Sequence, residues 1–98
     1  MATKERRTEV KILCTPLFET QLKTILEAFR KEDFEATKKY KMYLYTVIIN
    51  IPTKVQKFKQ SVYFNDENIK DLEHQGFRIP FYYEEETQTY LILAIVKL

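Results

Sequence analysis

Phe77-Arg78-Ile79-Pro80-Phe81-Tyr82-Tyr83-Glu84 alternates, residue by residue, between a large apolar set and a second set of side chains. Successive side chains of a strand point to opposite faces of a sheet, so this period of two predicts a half-buried strand. The apolar set, which faces the core, is Phe77, Ile79, Phe81 and Tyr83. Arg78 therefore points away from the core. Because Pro80 has no amide hydrogen, it predicts either a bulge or a position whose amide faces no neighbouring strand.

The segment from Tyr90 to Val96 is apolar on both faces, which is typical of a central strand. If helices cover only one side, the other apolar face needs a cover, either a chain terminus or another protein. The residues between the two strands form a predicted loop that consists of Glu84, Glu85, Glu86, Thr87 and Gln88. Adjacent loop carboxylates predict a solvated acidic tip and not a metal site.

Two helices are predicted upstream, after a short strand from Val10 to Thr15. Thr15 caps the first helix, Pro16 occupies its first position, and basic residues suit its C-terminal end. Its apolar stripe is Phe18, Leu22, Ile25, Leu26 and Phe29. After a break at residues 32–34, a second stripe consists of Ala36, Tyr40, Tyr43, Leu44, Val47, Ile48 and Ile51, and Pro52 ends that helix. Tyr45 lies off this stripe.

The order of elements is a strand, an antiparallel helical hairpin and a C-terminal run of strands. This order predicts an α+β fold in which the helices pack on one face of an antiparallel sheet. The segment from Phe64 to Gly76 is ambiguous. Asp66 is placed to cap a helix, Ile69 and Leu72 share a helical face, and Gly76 is a suitable stop, so local propensity favours helix for residues 65–75.

Length and composition limit the classes of function. The 98 residues, with 45% hydrophobic and 31% charged side chains, predict one globular domain over residues 10–98 and a flexible tail over the charged residues 1–9. The single cysteine, Cys14, predicts a reducing compartment, hence the cytoplasm. The single glycine, Gly76, excludes glycine-rich phosphate-binding loops. The longest apolar run is far shorter than the ~20 residues that span a bilayer, so we expect no membrane association, and we expect no cofactor and no metal.

Three segments sharpen this picture: Ser61 to Leu72, Gly76 to Tyr82, and Leu93 to Lys97. Together they resemble the RelE/ParE superfamily of bacterial toxins, in which the third strand begins with a glycine, an aromatic residue and an arginine. In this superfamily the last strand is apolar and ends in basic residues. The resemblance implies that residues 65–75 form a strand of a C-terminal antiparallel meander. It also implies the toxin half of a type II toxin–antitoxin pair, with growth inhibition and plasmid stabilisation as its associated roles and a cognate antitoxin protein as its partner.

The superfamily includes ribosome-dependent mRNA endoribonucleases of RelE type and ParE-like toxins that poison DNA gyrase by protein contact. The RelE-like pattern has lysines on the second strand, an arginine on the third, and an arginine and a tyrosine after the fourth. Aligned on Gly76 and Arg78, the two lysine positions fall on Ile69 and Asp71, and the late arginine falls on Leu98. A carboxylate at Asp71 would repel a phosphate. The resemblance therefore implies a ParE-like protein binder more than an enzyme, with the ribonuclease or a non-toxic interaction domain as alternatives.

The candidate site residues follow from this comparison. Arg78 is the catalytic candidate if the chain is a ribonuclease, and the partner-binding candidates are Arg78, Tyr82, Lys70, Asp71 and Lys97. Lys70 lies between the two lysine positions and would face the other side of a strand. The alternative role of Arg78 is a cross-strand ion pair with Asp71 or Glu84. His74 is expected to be a solvated turn residue and Cys14 a small core residue.

Overall fold

A computed structural model describes residues 10–54 and 57–98. In chain order its elements are β1 (Lys11–Cys14), α1 (Pro16–Glu32), α2 (Phe34–Ile49), α3 (Ile51–Lys54), β2 (Lys59–Gln60), β3 (Ile69–His74), β4 (Phe77–Glu84), β5 (Thr89–Ile92) and β6 (Val96–Lys97). The predicted α+β arrangement is confirmed: one core cluster joins side chains of α1 and α2 to side chains of β3, β4 and β5. The expected flexible tail, residues 1–9, lies outside the described residues.

The sheet is mixed and not wholly antiparallel. Its strand order is β1-β5-β4-β3-β2, and β6 pairs with β4 beyond the end of β5. β3, β4 and β5 form the predicted antiparallel meander. β1 pairs with β5 in the parallel sense, with Ile12 opposite Tyr90. The predicted N-terminal strand thus forms one edge of the sheet.

Residues 69–74 are a strand, so the helical propensity of this segment is overridden. β3 and β4 join through the two-residue loop Gln75-Gly76, and both residues have positive φ, 50° and 87°. Two positive φ values are what a tight hairpin turn of the primed type requires, and glycine adopts such values without strain. Asp66 caps no helix; its Oδ1 accepts the Asn68 amide at 2.8 Å in a local turn.

Pro80 lies where β4 has no regular neighbour on one side. The Leu93 amide donates to the Pro80 carbonyl at 2.9 Å, so this edge of Pro80 faces the gap between β5 and β6. The predicted continuous strand from Tyr90 to Val96 is interrupted there, because residues 93–95 leave the ladder. Within that gap the Ile95 amide donates to Gln21 Oε1 of α1 at 2.9 Å. The missing donor of Pro80 therefore falls at a position that needs none.

The helical hairpin differs from prediction in its boundaries and in one face. The Phe18 amide donates to Thr15 Oγ1 at 3.0 Å, which confirms the predicted cap of α1. Asp33 alone separates the helices, and its Oδ1 caps α2. α2 ends at Ile49, and Pro52 lies inside α3 instead of ending the helix.

The buried face of α2 is Thr37, Tyr40, Leu44 and Ile48. Ala36 and Tyr43, which were predicted to be buried, are exposed. The error has a simple cause: α2 carries apolar side chains all around, so spacing alone did not separate the face toward the sheet from the face toward solvent.

Candidate functional site

The open face of the sheet, opposite the helices, carries the predicted arginine. In the β3–β4 ladder Glu73 lies opposite Arg78, Asp71 opposite Pro80, and Ile69 opposite Tyr82. Residues that lie opposite each other in an antiparallel ladder share a face. The residues of β4 on the other face, Phe77, Ile79 and Phe81, are buried under the helices. The prediction that Arg78 points away from the helix-covered core is confirmed.

The Arg78 guanidinium is held by two carboxylates. Its Nη2 lies 2.6 Å from Glu73 Oε2, and its Nε lies 3.8 Å from Asp71 Oδ2. The hydrogen bond to Glu73 raises the pKa of Arg78 above its usual range. The Tyr63 ring covers the guanidinium, with 5.8 Å between the ring centroid and Cζ. The Arg78 side chain remains 22% exposed. Its charge is thus balanced by neighbours on its own sheet.

Asp71 anchors the segment that crosses this face. Its side chain is only 9% exposed, and its Oδ2 accepts the Val62 amide at 2.9 Å. The Tyr63 amide donates to Ser61 Oγ at 3.1 Å, and Ser61 is itself buried. These bonds hold the segment so that Val62, Tyr63 and Phe64 are exposed to solvent beside the arginine.

A hollow of about 420 Å³ lies beside the guanidinium. Its charged lining residues are Lys57, Lys59, Asp71, Glu73 and Arg78. Three cations thus line the hollow together with two anions. A phosphate entering it would meet both carboxylates, one of them hydrogen-bonded to the arginine, and the sequence analysis predicted the repulsive effect of Asp71. The hollow is therefore suited to a partner surface that carries both positively and negatively charged groups.

The structure does not bring all the candidate residues together. Tyr82 shares the open face with Arg78, four residues further along β4 and so about 13 Å away. Lys70 lies on the helix side, where its Nζ is 3.4 Å from the Phe58 carbonyl oxygen. Lys97 lies opposite Phe77 at the end of β6, also on the helix side. Arg78 and Asp71 are therefore the pair that is in contact.

Lys97 instead borders a separate groove between α1 and β6. This helix-side groove has a volume of about 520 Å³, and its apolar lining residues are Ile25, Ala28, Phe29, Phe77, Ile95 and Val96. Thr20, Gln21 and Thr24 of α1 supply its polar lining. A groove with an apolar floor and a lysine at its edge is suited to an amphipathic peptide with acidic residues.

Sequence reasoning missed four residues around Arg78. Glu73 could have been found: a two-residue loop at Gln75-Gly76 sets the register and places Glu73 directly opposite Arg78. Tyr63, Lys57 and Lys59 had no such signal. β2 is only two residues long, and the segment that follows it is irregular, so no periodicity marks which residues meet the arginine.

Two other residues are placed as follows. His74 is not the solvated turn residue that was expected: its ring lies 5.7 Å from that of Tyr40, its Nε2 is buried, and burial lowers its pKa. Burial, with a smaller effect from Glu19, raises the pKa of Cys14, which favours the unreactive thiol.

Within residues 10–54 and 57–98, no three His, Cys, Asp or Glu side chains are grouped to bind a metal ion, and no helix is long and apolar enough to cross a membrane.

No protein-family model matches the chain, and no curated protein matches it. A solved structure does: a chain of the "Chromosomal ParDE TA system from P. aeruginosa" aligns with a TM-score of 0.70 and 14% identity, over 91% of this chain and 96% of that chain. This chain has a ParE-like fold. The resemblance to the RelE/ParE superfamily, and with it the strand at residues 69–74, is confirmed at the level of the fold.

Within the ParE-like fold, both surfaces described above lie at strand ends or edges of the sheet. The arginine hollow is on the open face beside β2, and the apolar groove is on the helix side beside β6. The two surfaces lie on opposite sides of β4.

Proposed function

We propose that this chain is the toxin component of a type II toxin–antitoxin system, of ParE type, and that it acts in the bacterial cytoplasm by binding a protein target. The support is the ParE-like fold together with the chemistry of the open face. Growth inhibition is the expected result of its expression, and plasmid stabilisation is an associated role of such pairs.

The state of Arg78 is the observation that carries the proposal. Cleaving RNA by attack of the 2′-hydroxyl on the adjacent phosphate needs groups that take and give protons and cations that stabilise the added charge. Here the arginine is hydrogen-bonded to Glu73 and lies near Asp71. Arginine and tyrosine side chains are, however, enriched among the residues that carry most of the binding energy of protein interfaces. The open face supports recognition more than catalysis.

DNA gyrase is the proposed target. The test is a supercoiling assay with purified gyrase and relaxed plasmid. We expect the chain to inhibit supercoiling or to stabilise the cleaved complex, and we expect Arg78→Ala to lose most of the effect. Tyr43→Ala is the matched control, since Tyr43 is exposed on α2, away from the sheet. Full gyrase activity at excess protein would remove gyrase as the target.

The helix-side groove is the proposed site for the antitoxin. An acidic amphipathic segment would place apolar side chains on Ile25 and Phe29 and a carboxylate near Lys97. The test is co-expression with the product of the neighbouring small gene, with recovery of growth as the readout. Ala28→Arg should fill the groove and abolish rescue while leaving toxicity intact. Rescue that is insensitive to this substitution would place the antitoxin elsewhere.

A RelE-like endoribonuclease is the second candidate, and one observation favours it. Lys57 and Lys59 line the same hollow as Arg78, and Tyr63 lies over the guanidinium. Such a set could bind RNA if the carboxylates were displaced. The test is mRNA integrity in a translating extract, comparing the unaltered chain with Arg78→Ala. If the chain is neither toxic nor nucleolytic, it is an interaction domain on the same scaffold.

A further inference from the structure

α2 presents an apolar surface on the flank beside its buried face, where Lys41 and Tyr45 border a hollow shared with α1. Six exposed residues, each three or four positions from another member, make up this outer stripe: Phe34, Lys38, Lys41, Met42, Tyr45 and Ile49. Four of the six are apolar: Phe34 is 56% exposed, Met42 69%, Tyr45 43% and Ile49 65%. Single exposed apolar residues are common on protein surfaces, but four large ones in one row form a contiguous apolar patch, and such patches mark interaction surfaces.

The two lysines of the stripe lie over its own rings. Lys38 Nζ is 5.6 Å from the centroid of the Phe34 ring, and Lys41 Nζ is 5.7 Å from that of Tyr45. Across residues 10–54 and 57–98, neither ammonium lies within ion-pair distance of a carboxylate. Their stems therefore extend the apolar surface, while their charged groups interact with aromatic faces.

The stripe is symmetric about its midpoint, between Lys41 and Met42. Phe34 and Ile49 lie equally far from that point, as do Lys38 and Tyr45. We propose that the outer stripe is a self-association surface, on which α2 of one copy of this chain packs antiparallel against α2 of a second copy about a two-fold axis. Each apolar end then meets the apolar end of the other copy, and each Lys38 meets a Tyr45 ring.

The geometry at the axis follows from helix dimensions. Packed helices lie about 8–10 Å apart, and Cα atoms lie about 2.3 Å from the helix axis. Met42 is half a residue from the two-fold axis, so the Met42 Cα atoms of the two copies come about 6 Å apart. The Lys41 residues of the two copies lie equally close on the other side of the seam. This contact between like charges weakens the dimer at low salt.

The area available predicts a weak dimer. An aromatic or large aliphatic side chain offers roughly 200 Å², so four that are about half exposed contribute roughly 400 Å² per copy. Two copies then bury about 800 Å², and the lysine stems bring this close to the ~1,000 Å² at which specific interfaces begin. We expect association that rises with protein concentration and strengthens when salt screens the lysines.

We favour a second copy of this chain over an unrelated helix as the partner of the outer stripe, because residues equally far from the midpoint of the stripe are suited to contact each other. An acidic amphipathic helix would also complement Lys38 and Lys41, but it would not depend on the symmetry of the stripe. The two occupants therefore differ in which engineered cysteines cross-link. Cys14 is the only natural cysteine, so a Cys14→Ser background makes such an experiment clean.

The first test is disulfide formation by Met42→Cys in the Cys14→Ser background. A Cα separation of about 6 Å is within the range that disulfides bridge. We expect most of this variant to become a covalent dimer under mild oxidation, whereas Lys39→Cys, which is exposed on α2 but off the stripe, should cross-link at least tenfold more slowly. Equal rates for the two variants, or none for either, would overturn the proposal.

The second test uses mixed copies. Phe34→Cys and Ile49→Cys should cross-link to each other and not to themselves, because the antiparallel arrangement places each opposite the other. Lys41→Glu mixed with the unaltered chain should form a heterodimer more readily than either forms a homodimer. Sedimentation equilibrium of the unaltered chain should show a mass that rises with concentration and salt. A monomer at all concentrations, or cross-linking only between identical positions at the stripe ends, would contradict the arrangement.

Discussion

Arg78 and Glu73 lie opposite each other in the β3–β4 hairpin, with 2.6 Å between Nη2 and Oε2. The pair follows from the tight turn at Gln75-Gly76, which sets the register of the two strands. Glu73 is more than half exposed, so solvent screens the pair and it adds little to stability. The pair holds the arginine in place and offsets its charge.

Glu73→Gln should change binding more than stability. The free energy of unfolding should fall by less than about 1 kcal/mol, as for exposed ion pairs. Retention on heparin or another polyanion should increase, since Lys57, Lys59 and Arg78 then face one carboxylate fewer. Urea unfolding and a salt gradient on heparin measure the two effects. Glu85→Gln, on the acidic loop, is the control for loss of one negative charge. Equal retention of the two variants would show that Glu73 does not offset Arg78.

Asp71→Ala should release the segment after β2. The Val62 amide loses its acceptor, and because this hydrogen bond is exposed to solvent we expect a loss of only about 1 kcal/mol. Asp71→Asn keeps an oxygen that can accept this bond and should cost less. Limited chymotrypsin digestion should cut the alanine variant faster at Tyr63 or Phe64. If the asparagine variant is cut as fast as the alanine variant, the hydrogen bond does not hold the segment.

Tyr40→Phe should be neutral or slightly stabilising, by up to about 1 kcal/mol. The Tyr40 hydroxyl is buried without a hydrogen-bond partner in the described part of the chain, and burial raises its pKa to about 12. The ring itself packs against Phe29, with 5.2 Å between ring centroids. Tyr40→Ala should therefore cost about 3–5 kcal/mol. Thermal unfolding of both variants separates the contribution of the hydroxyl from that of the ring. A large loss in Tyr40→Phe would reveal a partner for the hydroxyl.

His74 should make the fold less stable as the pH falls. Burial lowers its pKa below the ordinary value of 6.5, so the unfolded chain takes up a proton at higher pH than the folded one. The contribution of neutral His74 is therefore complete above pH 6.5. It is lost as the pH falls below 6.5 toward the folded pKa, and the loss then levels off. His74→Gln should flatten the stability profile in this window, as measured by urea unfolding at several pH values. If the slope of stability against pH is unchanged in His74→Gln, other groups cause the pH dependence.

Much of the fold could be predicted because strong local signals agreed with it. Thr15-Pro16 marked the start of α1, and the alternation through Phe77 to Tyr83 marked β4. Residues 69–74 could not be predicted from local signals, because Asp66, Leu72 and Gly76 also suit a helix. Pairing with β4 decided the outcome, and only the family resemblance pointed to it.

The candidate site was predicted in part. The face of Arg78 and its closeness to Asp71 follow from strand geometry once β3 is a strand. Lys97 was predicted from alignment with a basic position of the family, and alignment does not say which side of a sheet a residue occupies. Its helix-side position became visible only with the register of β4 and β6. Lys70, which lies between the two aligned lysine positions, was predicted to face the other side of the strand, and the register of β3 and β4 confirms this.

The most direct test of the account is the mapping of new RNA 5′ ends in bacteria during induced expression of this chain. We predict that growth stops while mRNA shows no new cuts in phase with codons, because the proposed target is a protein. If Arg78 has no catalytic role, the strain that expresses Arg78→Ala should show the same RNA 5′ ends as the strain that expresses the unaltered chain. Cuts within translated codons that disappear in Arg78→Ala would contradict the account and establish the ribonuclease.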